Sequence, residues 1–154
     1  MVLYKNVLHN SNNTLPKWFL ETIGVYVSIL NNCDYCINHH FEGLKKLLND
    51  DDRANQFMTA VESNSLGSHL KEKGFKGMLY ARKLTSNIQS VTEADIKNLR
   101  DDGFTDGEIL EINQLVSYFN YVNRTVLGLG VNLDGDELGL SPNDNSDADS
   151  WHHK

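Results

Sequence analysis

The sequence predicts an all-α fold. Apolar residues recur at intervals of three and four along most of the chain between residues 17 and 128, the spacing of helices that bury one face. Two segments carry complete helix start signals, and no segment shows the apolar-polar alternation of a strand. We expect a helical domain over residues 1–133 and an acidic, flexible tail over residues 134–154.

The composition is that of one globular domain. The chain has 154 residues, of which 40% are hydrophobic, and a net charge of −7. An acidic chain lacks the basic face that nucleic acid or an anionic membrane requires. No apolar run approaches the roughly 18 residues of a membrane span, and the first residues lack a secretory core. We therefore predict a cytoplasmic protein with neither nucleic acid nor membrane as a partner.

The first half of the chain contains the two strongest helical patterns. Residues 14–16 give a helix entry, and the helix that follows is apolar on nearly all sides, with Glu21 as its notable polar member. Asn31 and Asn32 interrupt it, because asparagine caps helices and tolerates a change of direction. A second helix then runs to about Leu48.

The remaining helices are predicted from shorter signals. Apolar spacing indicates helices over 53–61 and 75–87, whereas residues 1–13 and 62–74 show no clear period. Two capping boxes, Thr92 with Asp95 and Thr105 with Glu108, predict the last two helices, which end near residues 102 and 128.

The chain's two cysteines form a motif with a histidine. On a helix, Cys33, Cys36 and His40 share one face, while His39 points about a quarter-turn away. A helix N-terminus, a neighbouring imidazolium or a second cysteine each lowers the pKa of a thiol, and two cysteines on adjacent turns can close a disulfide. The pattern indicates two-electron thiol redox chemistry.

Two other interpretations of the motif exist. A free cysteine is often a small buried hydrophobic residue. Two sulfurs and an imidazole could also form a Cys₂His zinc site, but ligands crowded on one short helix rarely surround a tetrahedral ion. We expect neither a metal nor a cofactor. His39 alone is expected at the surface or at an interface.

Glu21 is the second candidate. A glutamate in a largely apolar helix is costly to bury without a partner, and a buried one can act as a general base. The alternative is a solvated position at the rim of the helix. The turn at Asn31 and Asn32 could fold the Glu21 helix onto the cysteine helix or away from it, so the sequence leaves both open.

Taken together, these residues resemble a known family. Glu21, eleven intervening residues and the run Cys33-x-x-Cys36-x-x-x-His40 are similar to the signature of the alkyl hydroperoxidase D-like proteins of the carboxymuconolactone decarboxylase superfamily. The likeness is greatest to the branch known as uncharacterised peroxidase-related enzymes. It covers about residues 15–133 and includes VTEAD at 91–95, GFTD at 103–106, YFNYVNR at 118–124 and GLGV at 128–131.

The resemblance implies a fold, an activity and partners. It implies an all-helical homo-oligomer with the cysteine pair at the start of a central helix, and reduction of a hydroperoxide with antioxidant activity. Carried onto this chain, Cys36 is the peroxidatic thiol, Cys33 the resolving thiol, and Glu21 with His40 the proton relay through water. The reductant would be an unidentified dithiol or protein.

The chain departs from the family pattern in two places. Tyr35 lies between the cysteines where well-characterised members have a histidine, and a phenol is a poor base. The N-terminus is short, so either the chain is truncated or another subunit covers Trp18 and Phe19.

The resemblance assigns no role to three polar residues that could face the site from the last helix: Asn120, Asn123 and Arg124. We expect them to satisfy buried polar contacts or an oligomer interface.

Two other functions stay open. The superfamily name suggests a lactone decarboxylase-like lyase, although acid-base chemistry of that kind has no use for a redox dithiol. The other open function is that of a non-enzymatic redox or oligomeric partner-binding protein, which the departure at Tyr35 favours.

Overall fold

The computed structural model describes residues 2–136, 138 and 139. Eight α-helices and one short 3₁₀ turn at Ile88–Ser90 lie within these residues, which contain no strand, so the predicted all-α fold is confirmed. The helices are α1 (Val2–Leu8), α2 (Lys17–Leu30), α3 (Asp34–Leu48), α4 (Asp51–Glu62), α5 (Leu66–His69), α6 (Glu72–Ser86), α7 (Glu93–Asp101) and α8 (Asp106–Leu129). None of the described helices is long and apolar enough to cross a membrane.

Two helices lie where the sequence shows no clear period. α1 has seven residues and α5 has four, too few for a helical period to be recognised. α1 is stabilised by packing on the rest of the protein, since its residues Tyr4 and Leu8 are buried. α6 also begins at Glu72, earlier than its apolar residues predict.

α2 lies at the centre of the fold. It packs most extensively on α3, and then on α8 and α6. Residues on all its sides are buried, in agreement with its apolar sequence; the fully buried ones are Leu20, Ile23, Val25, Val27 and Ser28. Because the core surrounds this helix, a polar side chain on it is placed inside the molecule.

The turn at Asn31 and Asn32 folds α3 back along α2. Asn32 adopts the left-handed conformation, with φ of 54°. Its amide donates to the carbonyl of Ile29 at 3.0 Å, and the amide of Cys33 donates to the carbonyl of Ser28 at 3.0 Å. These two bonds form a Schellman motif, which closes α2 and fixes the backbone of Cys33. The two helices therefore form an antiparallel hairpin.

Both predicted capping boxes are present. The Thr92 amide donates to the Asp95 carboxylate at 2.7 Å, and the Thr105 amide donates to the Glu108 carboxylate at 2.8 Å. The second box starts the 24-residue α8. α8 packs on α2, and residues of its C-terminal half bond with Asn31 at the hairpin turn.

One expectation about a surface changes with the structure. Phe19 is buried within this chain alone, and the Arg53 guanidinium lies 4.8 Å from the ring centroid of Trp18. The chain's own residues thus cover much of the surface expected to need another subunit. The described part of the predicted tail docks on α3, where Lys46 donates to the carbonyl of Gly139. The rest of that tail lies outside the described residues.

Gly24 allows α2 and α8 to approach each other closely. A Cβ atom at this position would lie 2.3 Å from the tip of the Phe119 ring, which is itself fully buried. We expect Gly24→Ala to lower the free energy of unfolding by about 1–3 kcal/mol or more, because overpacking forces the core to shift. Urea denaturation measures this loss.

Gly128, on α8, is the matched control. A Cβ atom there meets nothing within 4 Å. Gly128→Ala should therefore raise the free energy of unfolding by up to about 1 kcal/mol, since alanine is the better helix former. Equal effects of the two substitutions would contradict the close contact between Gly24 and Phe119.

Candidate functional site

The two cysteines lie at the start of α3. Cys33 is the N-cap residue, and Cys36 is the third residue of the helix. Cys33 therefore precedes the first helical turn. Both are free thiols and both are buried: the exposed fractions are 0% for Cys33 and 2% for Cys36. Adjacent thiols of this kind can be oxidised to a disulfide.

Glu21 and His40 form a buried pair across the hairpin. His40 Nδ1 lies 2.8 Å from Glu21 Oε1, and the glutamate is only 1% exposed. The hairpin thus excludes the rim position that the sequence leaves open for Glu21. The His40 ring packs edge-on against Phe119, with 4.6 Å between centroids. His40 lies one turn beyond Cys36, so α3 carries both the thiol and the imidazole.

The two carboxylate oxygens of Glu21 have different hydrogen-bonding surroundings. Oε2 is buried and has no hydrogen-bond partner among the described residues. A buried carboxylate oxygen without a partner is costly, and in native proteins such a group calls for an explanation. A carboxylate with one oxygen on an imidazole and the other uncommitted is suited to accepting a proton.

Burial dominates the acidity of Cys36. Together with the neighbouring Cys33, and against a lowering by Asn123, burial raises the pKa of the thiol to about 12. The expected lowering of the pKa at the helix N-terminus is therefore wrong for Cys36. A sulfur removed from water loses more from desolvation than the first turn of a helix returns. Near neutral pH this thiol keeps its proton until a base removes it.

Tyr118 is a site residue that sequence reasoning missed. Its pKa is raised to about 12 by burial and by the charges of Cys36, Tyr121 and Glu21. Tyr118 on α8 thus lies close to both the thiol and the carboxylate. The sequence places it on the inner side of α8, but nothing in the spacing distinguishes it from a core tyrosine.

Tyr35 takes part in a separate cluster at the edge of the site. Its hydroxyl lies within hydrogen-bonding reach of Asp136, and its ring lies 4.4 Å from that of His39. His39 Nε2 is in turn 3.6 Å from Asp136. Burial and the Asp136 carboxylate raise the pKa of Tyr35 to about 12. Tyr35 is therefore a hydrogen-bonding group and does not replace the missing histidine as a base.

The polar residues of α8 make contacts within this chain. Asn120 and Asn123 both accept hydrogen bonds from the Asn31 amide, at 3.1 Å and 2.9 Å, and Arg124 donates to Asn120. The expectation of satisfied polar contacts is confirmed. Asn123 also lowers the pKa of the Cys36 thiol, so it lies on the side of α8 that faces the site. The sequence contains one signal of this position, because Asn123 continues the buried stripe of Val116 and Phe119.

The described residues contain no group of three or more His, Cys, Asp or Glu side chains arranged to hold a metal ion.

Solved structures similar to this chain come from three bacteria. An uncharacterized peroxidase-related protein from Silicibacter sp. TM1040 is 26% identical, with a TM-score of 0.75, over 84% of this chain and 65% of its own. An uncharacterized peroxidase-related protein with an alkylhydroperoxidase AhpD core, from Ralstonia eutropha JMP134, is 25% identical, with a TM-score of 0.74, over 85% and 66%. This chain thus spans just under two thirds of either protein.

A third structure supports the fold alone. A protein of unknown function from Agrobacterium tumefaciens, described as a candidate antioxidant defence protein AhpD, is 19% identical, with a TM-score of 0.68, over 86% of each chain. No protein-family model matches the sequence, and no curated protein matches it. The resemblance predicted from the cysteine motif is confirmed by these structures: this chain is similar in fold and sequence to alkylhydroperoxidase D-like, peroxidase-related proteins.

Proposed function

We propose that this protein is a thiol-dependent peroxidase that reduces hydroperoxides with Cys33 and Cys36. The observation that carries the proposal is the buried Glu21–His40 pair, 2.8 Å apart, on the helices that flank the dithiol. A redox dithiol alone could serve many purposes. A dithiol with a carboxylate and an imidazole beside it has a route for the protons that peroxide reduction must move.

The reaction has three balanced steps. The Cys36 sulfur attacks the terminal oxygen of ROOH, the O–O bond breaks, and the products are a sulfenic acid on Cys36 and the alcohol ROH. Cys33 then attacks the sulfenic sulfur, which forms the disulfide and releases water. An external dithiol reduces the disulfide, becomes oxidised itself, and restores both thiols. The order of the two cysteines is taken from the family resemblance.

The raised pKa of Cys36 makes a base necessary. A thiol with a pKa of about 12 is almost wholly protonated at neutral pH, and the thiolate is the nucleophile. Glu21, through His40 or a water molecule, is the base that takes this proton as the peroxide arrives. The uncommitted Oε2 atom of Glu21 is the acceptor. The same proton can then return to the leaving alkoxide, so one pair of residues serves both transfers.

The proposal is tested with the unmodified protein. With a hydroperoxide and a small dithiol, we expect catalytic loss of peroxide. With stoichiometric peroxide and no reductant, we expect one intramolecular Cys33–Cys36 disulfide by mass spectrometry of peptides. If both thiols stay free, the proposal fails. A disulfide without turnover would instead indicate a redox partner-binding protein.

The oligomeric state and the cellular compartment belong to the same proposal. We propose a homo-oligomer, as in the family, and exposed apolar residues at the end of α8 support an interface there: Tyr121, Leu127, Leu129 and Val131. Sedimentation velocity measures the subunit number. We also propose the cytoplasm, where a reducing environment keeps both thiols available for the cycle.

A further inference from the structure

A cleft lies beside the first turn of the central helix α2, whereas the dithiol follows the last turn of that helix. Its volume is about 470 Å³, which is within the range of sites that bind small molecules. This α2–α6 cleft is lined by residues of α2 and α6 and of the segments next to them, among them Trp18, Phe19, Arg53, Leu70, Gly74 and Phe104. Neither the cysteines nor the Glu21–His40 pair line it, so it is a separate site.

The floor of the α2–α6 cleft is aromatic. Trp18 and Phe19 contact each other edge to face, with 5.8 Å between their ring centroids. Phe19 and Phe104 meet over Gly77, where a Cβ atom would lie 3.2 Å from the tip of each ring. Phe19 and Phe104 are buried, and Trp18 is half-buried. Three neighbouring rings form an apolar surface that favours the flat body of an aromatic ligand.

The charged lining of the cleft is mostly positive, although the net charge of the chain is −7. Arg53, Lys71, Lys73 and the half-buried His69 line it, and Glu108 is the one carboxylate among the described residues that do so. Glu108 is already paired, because Lys73 Nζ lies 2.9 Å and 3.0 Å from its two oxygens. The remaining cations give the cleft an excess of positive charge, which attracts an anion.

Arg53 is placed to hold that anion. The central carbon of its guanidinium lies 4.8 Å from the centroid of the Trp18 ring. A cation–π contact leaves the N–H groups of the guanidinium available as donors. The Arg53 side chain has no hydrogen bond or ion pair with another described residue, although three aspartates precede it in the chain. Its donors are therefore open to a ligand in the cleft.

We propose that the α2–α6 cleft binds an aromatic carboxylate of one or two fused rings. The rings pack on Trp18, Phe19 and Phe104, and the carboxylate accepts hydrogen bonds from Arg53. A planar carboxylate matches the fork of a guanidinium with two parallel hydrogen bonds, which an alcohol cannot form. Lys71 lies on the same rim and adds to the attraction. This binding site does not depend on the proposed peroxidase activity.

Isothermal titration calorimetry of the full chain with 2-naphthoate tests the proposal. We expect a dissociation constant of roughly 10 µM to 1 mM. The neutral 2-naphthalenemethanol has the same rings and should bind about tenfold more weakly. Arg53→Gln should weaken the binding of 2-naphthoate about tenfold and abolish the preference for the carboxylate. Lys97→Gln is the control for charge: it removes an exposed cation that is paired with Asp101 on α7, and it should change neither affinity.

Gly74→Leu tests the location of the site. A Cβ atom at Gly74 would make only ordinary contacts, the nearest with Phe19 at 3.5 Å, so the fold can accept a side chain there. The leucine should fill part of the cleft and weaken the binding of both ligands about tenfold or more. The melting temperature should stay the same or rise, because leucine is the better helix former.

Four results would each overturn the proposal. They are no saturable binding of 2-naphthoate, equal affinities for 2-naphthoate and the alcohol, an unchanged preference in the Arg53→Gln protein, and an unchanged affinity in the Gly74→Leu protein. A second subunit covering this face would give the first of these results. Because no peroxide is used, these results leave the peroxidase proposal standing. A double variant with Cys33→Ser and Cys36→Ser should bind 2-naphthoate as the unmodified protein does.

Discussion

Replacing Cys36 by serine should abolish peroxide reduction, whereas replacing Cys33 by serine should stop it after one turnover. A hydroxyl cannot take the place of a thiolate as the nucleophile, so Cys36→Ser leaves no first step. Cys33→Ser retains that step and loses the resolving sulfur. The measurement is peroxide loss per mole of protein, with dimedone trapping of a sulfenic acid followed by mass spectrometry.

The two variants control for each other, since they differ by three positions in one buried turn. A sulfenic acid that accumulates on Cys33 in the Cys36→Ser protein would reverse the roles of the cysteines. Full turnover by both variants would refute the dithiol cycle altogether. Non-reducing and reducing peptide maps of the unmodified protein supply the reference for the disulfide.

Glu21→Gln should lower the rate of peroxide reduction about 100-fold or more near neutral pH. The substitution keeps the shape of the side chain but removes the group that accepts the Cys36 proton. Hydroxide must then generate the thiolate. Because the pKa of Cys36 is raised to about 12, the residual rate should increase about tenfold per pH unit through the neutral range. Rates measured across pH 6 to 9 for both proteins test this.

Glu111→Gln is the matched control. Glu111 is also on a helix and accepts hydrogen bonds from the amides of Thr14 and Leu15, but it belongs to the attachment of the N-terminal segment to α8. The Glu111→Gln protein should retain the rate of peroxide reduction and the pH profile of the unmodified protein. If the Glu21→Gln protein reduces peroxide at the rate of the unmodified protein, Glu21 is not the base of the dithiol cycle.

The fold could be predicted where the signal is local. The two capping boxes involve residues three positions apart, and α7 and α8 begin where those boxes predict. Periodicity was sufficient for α2 and α3 because they are long. It failed for α1 and α5, whose few residues become helical through contacts with distant parts of the chain.

The site could be predicted only in part, because its contacts are of two kinds. Cys33, Cys36 and His40 share one helix face, and the helical repeat places them together. The Glu21–His40 contact depends on the direction of the turn between their helices, which two asparagines permit without specifying. Asn123 lies 92 residues beyond Asn31, and only the packing of α8 on the hairpin brings their side chains together.

The depth of the two sulfurs has a consequence for the choice of reductant. Thiol–disulfide exchange requires the incoming sulfur to touch one of the two bonded ones. With Cys33 fully buried and Cys36 nearly so, a folded protein that carries its dithiol on a flat surface cannot make that contact in this conformation. A small dithiol, or a protein that presents its cysteines on a projecting loop, can reach further. If a thiol reductant serves the proposed cycle, the burial that raises the pKa of Cys36 also restricts the size and shape of that reductant.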